Sequence, residues 1–177
     1  MNKVIRKIAV VGPESTGKST LSQQLAKHYH KAWVPEYARF YCAALTSPCT
    51  LQDEVNMFHG QLALEAAVAS TTEEDLIFCD TTVLTVKIWC DAMFDSTPQI
   101  VLDSLLKQQY DLYLLMDIDL PWQEDPLRDF PEQREHFMQV WHQELQTLNA
   151  NYVVINGLED RFKNAIAVVD SFLSKTL

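Results

Sequence analysis

The sequence predicts an α/β fold in which a parallel β-sheet is covered by helices on both faces. Short apolar runs alternate with longer segments of helical periodicity along the chain, and this alternation is typical of a buried parallel sheet. The first apolar run also ends in a glycine-containing stretch that leads into a helix, which is the context of a phosphate-binding loop. With 177 residues and neither a repeat nor a linker, we expect one domain, residues 1–177.

Five apolar runs define the strands. Each is short and rich in Val, Ile, Leu or aromatic residues, as suits a strand buried on both faces. The predicted strands are residues 4–11, 32–35, 76–79, 111–117 and 152–155.

Helical periodicity fills the intervals between these strands. Within residues 18–30, for example, Leu21, Leu25 and Tyr29 recur on one face. Pro98 suits the first turn of another helix. The predicted helices are residues 18–30, 37–45, 51–70, 82–94, 98–109, 132–148 and 160–173.

Composition and charge argue against several classes of protein. The formal net charge is −10, and a nucleic-acid-binding surface instead needs clustered Lys and Arg. The four cysteines form no CxxC pair, so we expect reduced thiols in a cytosolic protein. No segment approaches the roughly 18 apolar residues that span a bilayer. We therefore expect a cytoplasmic protein with a small-molecule substrate and no nucleic-acid or membrane partner, and homo-oligomerisation stays open.

Residues 12–20, GPESTGKST, match the pattern G-x-x-x-x-G-K-[ST] at every position. Glycine lets the backbone wrap around phosphate oxygens, and the following helix adds the positive end of its dipole. Lys18 can reach the β- and γ-phosphates, and the Ser19 hydroxyl can ligate Mg²⁺. ATP and Mg²⁺ are therefore the expected cofactors. The predicted nucleotide-binding residues are Gly12, Glu14, Ser15, Thr16, Gly17, Lys18, Ser19 and Thr20.

The residues around Asp80 distinguish a kinase from other phosphate-loop proteins. Asp80 ends the third strand, where it suits a metal-side carboxylate together with Ser19, although it could also cap the next helix. Hydrolytic motors usually place a glutamate directly after this aspartate, and GTPases a glycine three residues later. Here those positions hold Thr81 and Val83, and no N-K-x-D motif occurs. The chain is therefore predicted to transfer phosphate to an organic hydroxyl.

Such a kinase needs a carboxylate near the acceptor hydroxyl. Glu36 follows the second strand at the sheet edge where the phosphate loop lies, and Arg39 follows three residues later. A solvated Glu36–Arg39 pair is the alternative. Whether Glu36 or Asp80 accepts the proton stays open. The predicted acceptor-binding residues are Glu36, Tyr37, Arg39, Gln61, Asp80 and Trp122, although packing is an alternative for Tyr37, Trp122 and the similarly placed Trp89, and a polar helix face for Gln61.

A lid is predicted at about residues 119–134. Arg128 and Arg134 flank its proline-rich part, and such arginines can stabilise the charge that develops in phosphoryl transfer while the loop excludes water. An ordinary surface loop with local ion pairs is the alternative. Arg161 follows the last strand and is expected near adenine. The predicted catalytic residues are Lys18, Glu36, Asp80, Arg128 and Arg134.

Taken together, GPESTGKST, VPEYAR, the HGQ helix, FCDTT, YDLYLLMDIDLPWQEDPLR and NGLEDR resemble the ribosylnicotinamide kinase domain of NadR-type proteins over residues 7–172. The resemblance implies a P-loop kinase fold of the nucleoside kinase type, with strand order 2-3-1-4-5. It implies ATP–Mg²⁺ as donor and nicotinamide riboside as acceptor, giving nicotinamide mononucleotide in NAD salvage. Residues 12–19 would hold the phosphates, Glu36 and Asp80 would face ribose and metal, and Arg128 and Arg134 would belong to the lid.

The sequence departs from that family in two respects. Some members carry a tryptophan before the glutamate and a second aspartate after the first, where this chain has Pro35 and Thr82, so the acceptor ring must be held differently if that tryptophan stacks on it. Multifunctional members have further domains ahead of this one, and because the loop here begins at Gly12, adenylyl transfer and DNA binding are not expected. The alternatives to a nicotinamide riboside kinase are a kinase for another nucleoside or small alcohol and a non-catalytic ATP-binding regulatory module.

Overall fold

All five strands of the sheet run parallel, in the order β2-β3-β1-β4-β5. The structure is a computed structural model that describes residues 4–107 and 110–175. The strands are β1 Arg6–Val11, β2 Ala32–Val34, β3 Leu76–Asp80, β4 Leu112–Met116 and β5 Tyr152–Ile155. The predicted α/β class and the strand order implied by the resemblance are both confirmed.

Seven helices connect and cover these strands within the described residues. They are α1 Lys18–Tyr29, α2 Tyr37–Ala43, α3 Leu51–Thr71, α4 Val83–Phe94, α5 Gln99–Leu105, α6 Arg134–Thr147 and α7 Arg161–Ser174. The helix predicted over residues 98–109 ends earlier, and Gln108 and Gln109 lie outside the described part of the chain. None of the described helices is both long and apolar enough to cross a membrane.

Side-chain alternation along the strands divides the core into two layers. In β1, Ile8 and Val10 face α1 and α7, whereas Ala9 and Val11 face the layer built from α4 and α6. Trp141 of α6 is only 1% exposed in this second layer, as its helical spacing predicts. Because both faces of the sheet are covered, its strands are almost continuously apolar.

Because all strands are parallel, their carboxyl ends lie at the same edge of the sheet. The phosphate loop follows β1, Glu36 follows β2, Asp80 ends β3 and the proline-rich segment follows β4. In open parallel sheets, ligands bind outside the carboxyl ends of the strands. The fold therefore brings the predicted functional segments together although they are far apart along the chain.

Candidate active site

The phosphate loop is a tightly held turn between β1 and α1. Gly12 has φ 137° and Gly17 has φ 80°, which are values that side-chain-bearing residues rarely adopt. The buried hydroxyl of Thr16 donates to the carbonyl of Pro13 at 2.8 Å. This internal bond fixes the loop so that α1 begins directly behind it.

Lys18 lies at the base of the site between acidic groups. Its Nζ donates to the carbonyl of Pro13 at 2.8 Å. Burial lowers the pKa of this ammonium group, while the negative charges of Glu36, Asp80 and Glu14 oppose that effect. The carboxylates from the ends of β2 and β3 therefore both act on the lysine that the loop motif supplies.

Asp80 is buried, and one of its carboxylate oxygens makes no hydrogen bond. The residue is 1% exposed, and its Oδ1 has no hydrogen-bond partner. Burial raises the pKa of this carboxyl to about 6; the charge of Glu36 adds to the rise, and the Ser19 hydroxyl and the charge of Lys18 oppose it. A buried carboxylate with one unpaired oxygen, close to a hydroxyl, is a suitable environment for a hard cation.

Asp80 is available for this role because it does not cap α4. The backbone N–H of Leu84 donates to the Thr82 hydroxyl at 3.2 Å, so Thr82 is the cap and the alternative role proposed for Asp80 is wrong. The described residues contain no group of three or more His, Cys, Asp or Glu side chains that could hold a metal. Mg²⁺ needs no such group, since it is commonly bound through one or two carboxylates, substrate phosphates and water.

A cleft of about 990 Å³ extends from the phosphate loop towards α2, α3 and α4. Glu36 and Arg39 line it near the loop. The Arg39 guanidinium pairs with Asp125 of the proline-rich segment at 3.1 Å, so the alternative of a solvated Glu36–Arg39 surface pair is not what the structure has. This ion pair joins α2 to the segment that covers the loop.

The proline-rich segment lies over the phosphate loop and is anchored at Ser15. The Ser15 hydroxyl accepts from the backbone N–H of Gln123 at 2.8 Å and from Arg128 Nη1 at 3.2 Å. Arg134 donates to the Ser15 carbonyl at 3.3 Å and to the Leu120 carbonyl at 2.8 Å. Both predicted lid arginines therefore contact the loop directly, although Arg128 also lies 3.8 Å from Asp125.

Glu14 provides a second anchor for the same segment. Its carboxylate accepts from the backbone N–H groups of Asp129 and Phe130 at 3.1–3.3 Å. Burial raises the pKa of Glu14, and these two hydrogen bonds oppose that rise. Glu14 was predicted to bind nucleotide; it lines the cleft, but its carboxylate is engaged by the lid.

Arg161 lies under the loop at the β5 side. Its guanidinium donates to the carbonyl of Thr16 and pairs with Asp119. The other Asp119 oxygen accepts from the backbone N–H of Gly157 at 2.7 Å. Arg161 lines the cleft and is 6% exposed, so it ties the β4 and β5 loops to the phosphate loop.

Four residues predicted to touch the acceptor do not line the cleft: Tyr37, Gln61, Trp122 and the buried Asp80. Gln61 accepts from the backbone N–H of Tyr37 at 2.8 Å and donates to the Pro35 carbonyl at 3.3 Å. The Tyr37 ring lies against Gly60, where an added Cβ would be 2.1 Å from the ring. The Arg128 guanidinium lies over the Trp122 ring, with its Cζ atom 5.8 Å from the ring centroid. The predicted acceptor contacts of Tyr37, Gln61 and Trp122 are therefore corrected. Tyr37 and Gln61 stabilise the turn that presents Glu36, and Trp122 packs beside Arg128 within the proline-rich segment.

Glu54 is a cleft residue that the sequence analysis missed. It lies in the first turn of α3, where an acidic residue ordinarily complements the helix dipole at the surface. Here it is 2% exposed and lines the far end of the cleft. Burial raises the pKa of its carboxyl to about 7, partly offset by the Cys49 thiol 3.8 Å from Oε1. Trp89 also lines the cleft and packs on Phe130.

The raised pKa of Glu54 predicts a pH-dependent gain in stability for Glu54→Gln. Since the folded state holds the proton more tightly than the unfolded chain, the wild type loses stability as pH rises from about 4.5 to about 7. We expect the variant to be more stable by roughly 3 kcal/mol above pH 7 and equal to the wild type near pH 4. Urea titrations across pH measure this, with Glu135→Gln, an exposed first-turn carboxylate of α6, as control. A constant difference at all pH values would contradict the prediction.

Comparisons with known proteins agree with this architecture. A family model described as an AAA domain matches residues 7–161. The chain is 24% identical over 181 residues to the trifunctional NAD biosynthesis/regulator protein NadR of Escherichia coli, an alignment that covers 97% of this chain and 43% of that protein. It therefore spans less than half the length of this relative.

Two solved structures share the fold. A NadR protein in complex with NR superposes with a TM-score of 0.84 at 21% identity, over 95% of this chain and 50% of that one. A thymidylate kinase from Ehrlichia chaffeensis superposes with a TM-score of 0.69 at 12% identity, over 94% of this chain and 99% of that one. The second match includes nearly all of a kinase chain, and both confirm the predicted P-loop fold.

Proposed function

This chain belongs to the AAA domain family, and on that premise we propose that it is an ATP-dependent kinase that phosphorylates nicotinamide riboside to nicotinamide mononucleotide. The observation that carries the proposal is that the charges of Glu36 and Asp80 both act on Lys18, which lines a large cleft together with Glu36. The NadR likeness supports the acceptor, since that protein was solved with NR, which we interpret as nicotinamide riboside.

The donor side of the cleft suits the triphosphate of ATP. Backbone N–H groups of Gly12 and residues 14–19 and the N-terminus of α1 would bind the phosphate oxygens, and Lys18 would leave the Pro13 carbonyl for the β- and γ-phosphates. Residues 119–134 would act as the lid, with Arg128 and Arg134 close to the transferring group. Asp80 and Ser19 fit Mg²⁺, which when bound supplies positive charge to the phosphates.

The carboxylates of Glu36 and Asp80 have different environments and therefore different proposed roles. Glu36 lines the cleft, whereas Asp80 is buried beside Ser19. We therefore assign Glu36 as the proton acceptor and Asp80 as the metal-side group. The 5′-hydroxyl oxygen attacks the γ-phosphorus, the bond from that phosphorus to the ADP oxygen breaks, and the hydroxyl proton passes to Glu36. Positioning and charge stabilisation supply most of the acceleration.

The direct test is to incubate the protein with ATP, Mg²⁺ and a panel of nucleosides and to measure products by mass spectrometry. We expect nicotinamide riboside to gain one phosphate faster than the other acceptors. Conversion of another nucleoside alone would contradict the acceptor but leave a kinase. ATP binding without transfer to any acceptor would instead favour a regulatory module.

Glu36→Gln tests the assignment of the proton acceptor. We expect kcat to fall about 100-fold, since a positioned base contributes roughly that much, while the KM for ATP changes little. Steady-state kinetics with both substrates measure this, and Glu135→Gln is again the matched control, since Glu135 is exposed and does not line the cleft. An unchanged kcat would remove Glu36 from the proton transfer.

A further inference from the structure

The far end of the cleft, beyond Glu36, encloses a carboxylate in an otherwise apolar wall. Glu54 is 2% exposed there, and nearby parts of the cleft lining carry thiol, thioether and indole groups. The neighbouring lining residues are Cys42, Cys49, Met57, Val86, Trp89 and Met93. Such a lining suits a flat aromatic ring.

Glu54 has no basic partner in the described part of the chain. Its hydrogen-bonding neighbour is the Cys49 thiol, a weak donor at 3.8 Å. Lys and Arg side chains that pair with carboxylates elsewhere make no ion pair with it. A buried carboxylate is ordinarily paired, because leaving water without a counter-charge is costly.

The titratable groups that face Glu54 add negative charge or none. Asp53 lies on the same helix, and Asp129 reaches it from the lid. The thiols of Cys42, Cys49 and Cys90 face it from α2, from the loop before α3 and from α4. None of these groups supplies a positive charge to Glu54, which a cationic ligand in the cleft could provide.

We propose that Glu54 is the counter-ion for a positively charged aromatic base of the acceptor, so that this site selects cationic ribosides over neutral nucleosides. The inference deepens the proposed function and rests on it. The ring of nicotinamide riboside is a pyridinium, with a permanent positive charge. Sulfur atoms and the Trp89 indole are polarisable neighbours for such a ring.

The placement also accounts for a departure noted in the sequence. Pro35 stands where some members of the NadR-type family carry a tryptophan before the glutamate, so this chain has no aromatic side chain at that position. A charge pair with Glu54 supplies affinity that does not depend on stacking there. Specificity then comes from charge, which a neutral base of the same shape cannot satisfy.

The test compares two acceptors that differ in ring charge, nicotinamide riboside and its neutral 1,4-dihydro form, on the wild type and on Glu54→Gln. We expect the variant to raise the KM for the cation at least about 30-fold, because loss of one partner of a buried charge pair has effects of that size. The KM values for the neutral acceptor and for ATP should change less than about threefold. Glu135→Gln should behave as the wild type.

Two further measurements separate this inference from the proposed function. Calorimetry with 1-methylnicotinamide, a cation, and nicotinamide, which is neutral, reports binding without turnover. If the wild type binds the cation preferentially and Glu54→Gln does not, the inference stands even where no riboside is phosphorylated. In the wild type, affinity for the cation should rise as pH increases through about 7, and this dependence should vanish in the variant.

The inference is overturned if Glu54→Gln weakens cationic and neutral ligands equally, which would indicate a packing role. It is also overturned if the variant changes neither. A wild type that phosphorylates nicotinamide riboside but shows either pattern would leave the kinase assignment intact.

Discussion

Lys18→Met is expected to lower kcat about 1,000-fold, the largest effect of any single substitution on phosphoryl transfer in this protein. The ammonium group lies at the base of the cleft, where it interacts with Glu36 and Asp80. In the transition state, charge spreads over the oxygens of the transferring group, and a fixed cation in a site with little water acts strongly on that charge. Methionine keeps the length and apolar stem of the side chain but not the charge.

Single-turnover kinetics with saturating ATP measure this loss separately from nucleotide affinity. Lys27→Met is the matched control, because Lys27 lies on the same helix but is exposed and does not line the cleft. We expect the control to retain wild-type kcat and both variants to keep the helical circular dichroism spectrum. A Lys18→Met enzyme with nearly normal turnover would show that the phosphate loop is not where transfer occurs.

Gly12→Ala is expected to destabilise the folded protein by about 4 kcal/mol, the largest stability effect that we predict. Two causes add. The backbone at Gly12 has φ 137°, which a residue with a Cβ adopts only under strain. An added Cβ would also lie 2.9 Å from the Met116 carbonyl oxygen, which belongs to a central strand and has little room to move.

Thermal unfolding measures the effect, which corresponds to a Tm lower by about 8–16 °C in a protein of this size. Gly17→Ala separates the two causes. Its φ of 80° is also strained, but the nearest neighbour of an added Cβ is the flexible end of Leu120 at 3.3 Å. We expect it to lose only about 1–2 kcal/mol. Equal losses in both variants would mean that the contact with Met116 contributes nothing.

Much of the site could be predicted because its residues are marked by their neighbours in the sequence. The phosphate loop is contiguous, so its pattern carries its own geometry. Asp80 and Glu36 follow apolar strands, and in a parallel sheet the carboxyl ends of strands share an edge, which places both near the loop.

Other site features depend on contacts between distant segments. Glu14 holds the backbone of Asp129 and Phe130 across more than a hundred residues of chain, and no local pattern predicts such a bond. Gln61 and Tyr37 were expected in the cleft, yet the first caps the turn after β2 and the second fills the space above Gly60. Periodicity states which helix face is apolar but not which neighbour that face meets.

The sequence by itself determined the alternation of strands and helices, the phosphate loop and the acidic ends of β2 and β3, because each is encoded by residues adjacent along the chain. Only the tertiary structure decided that Glu54 faces the cleft without a cationic partner among the described residues, and that the proline-rich segment is held at Ser15 and Glu14. The physical reason is that burial and charge pairing arise from the packing of whole elements. A first-turn glutamate is a surface residue in one packing and an enclosed carboxylate in another.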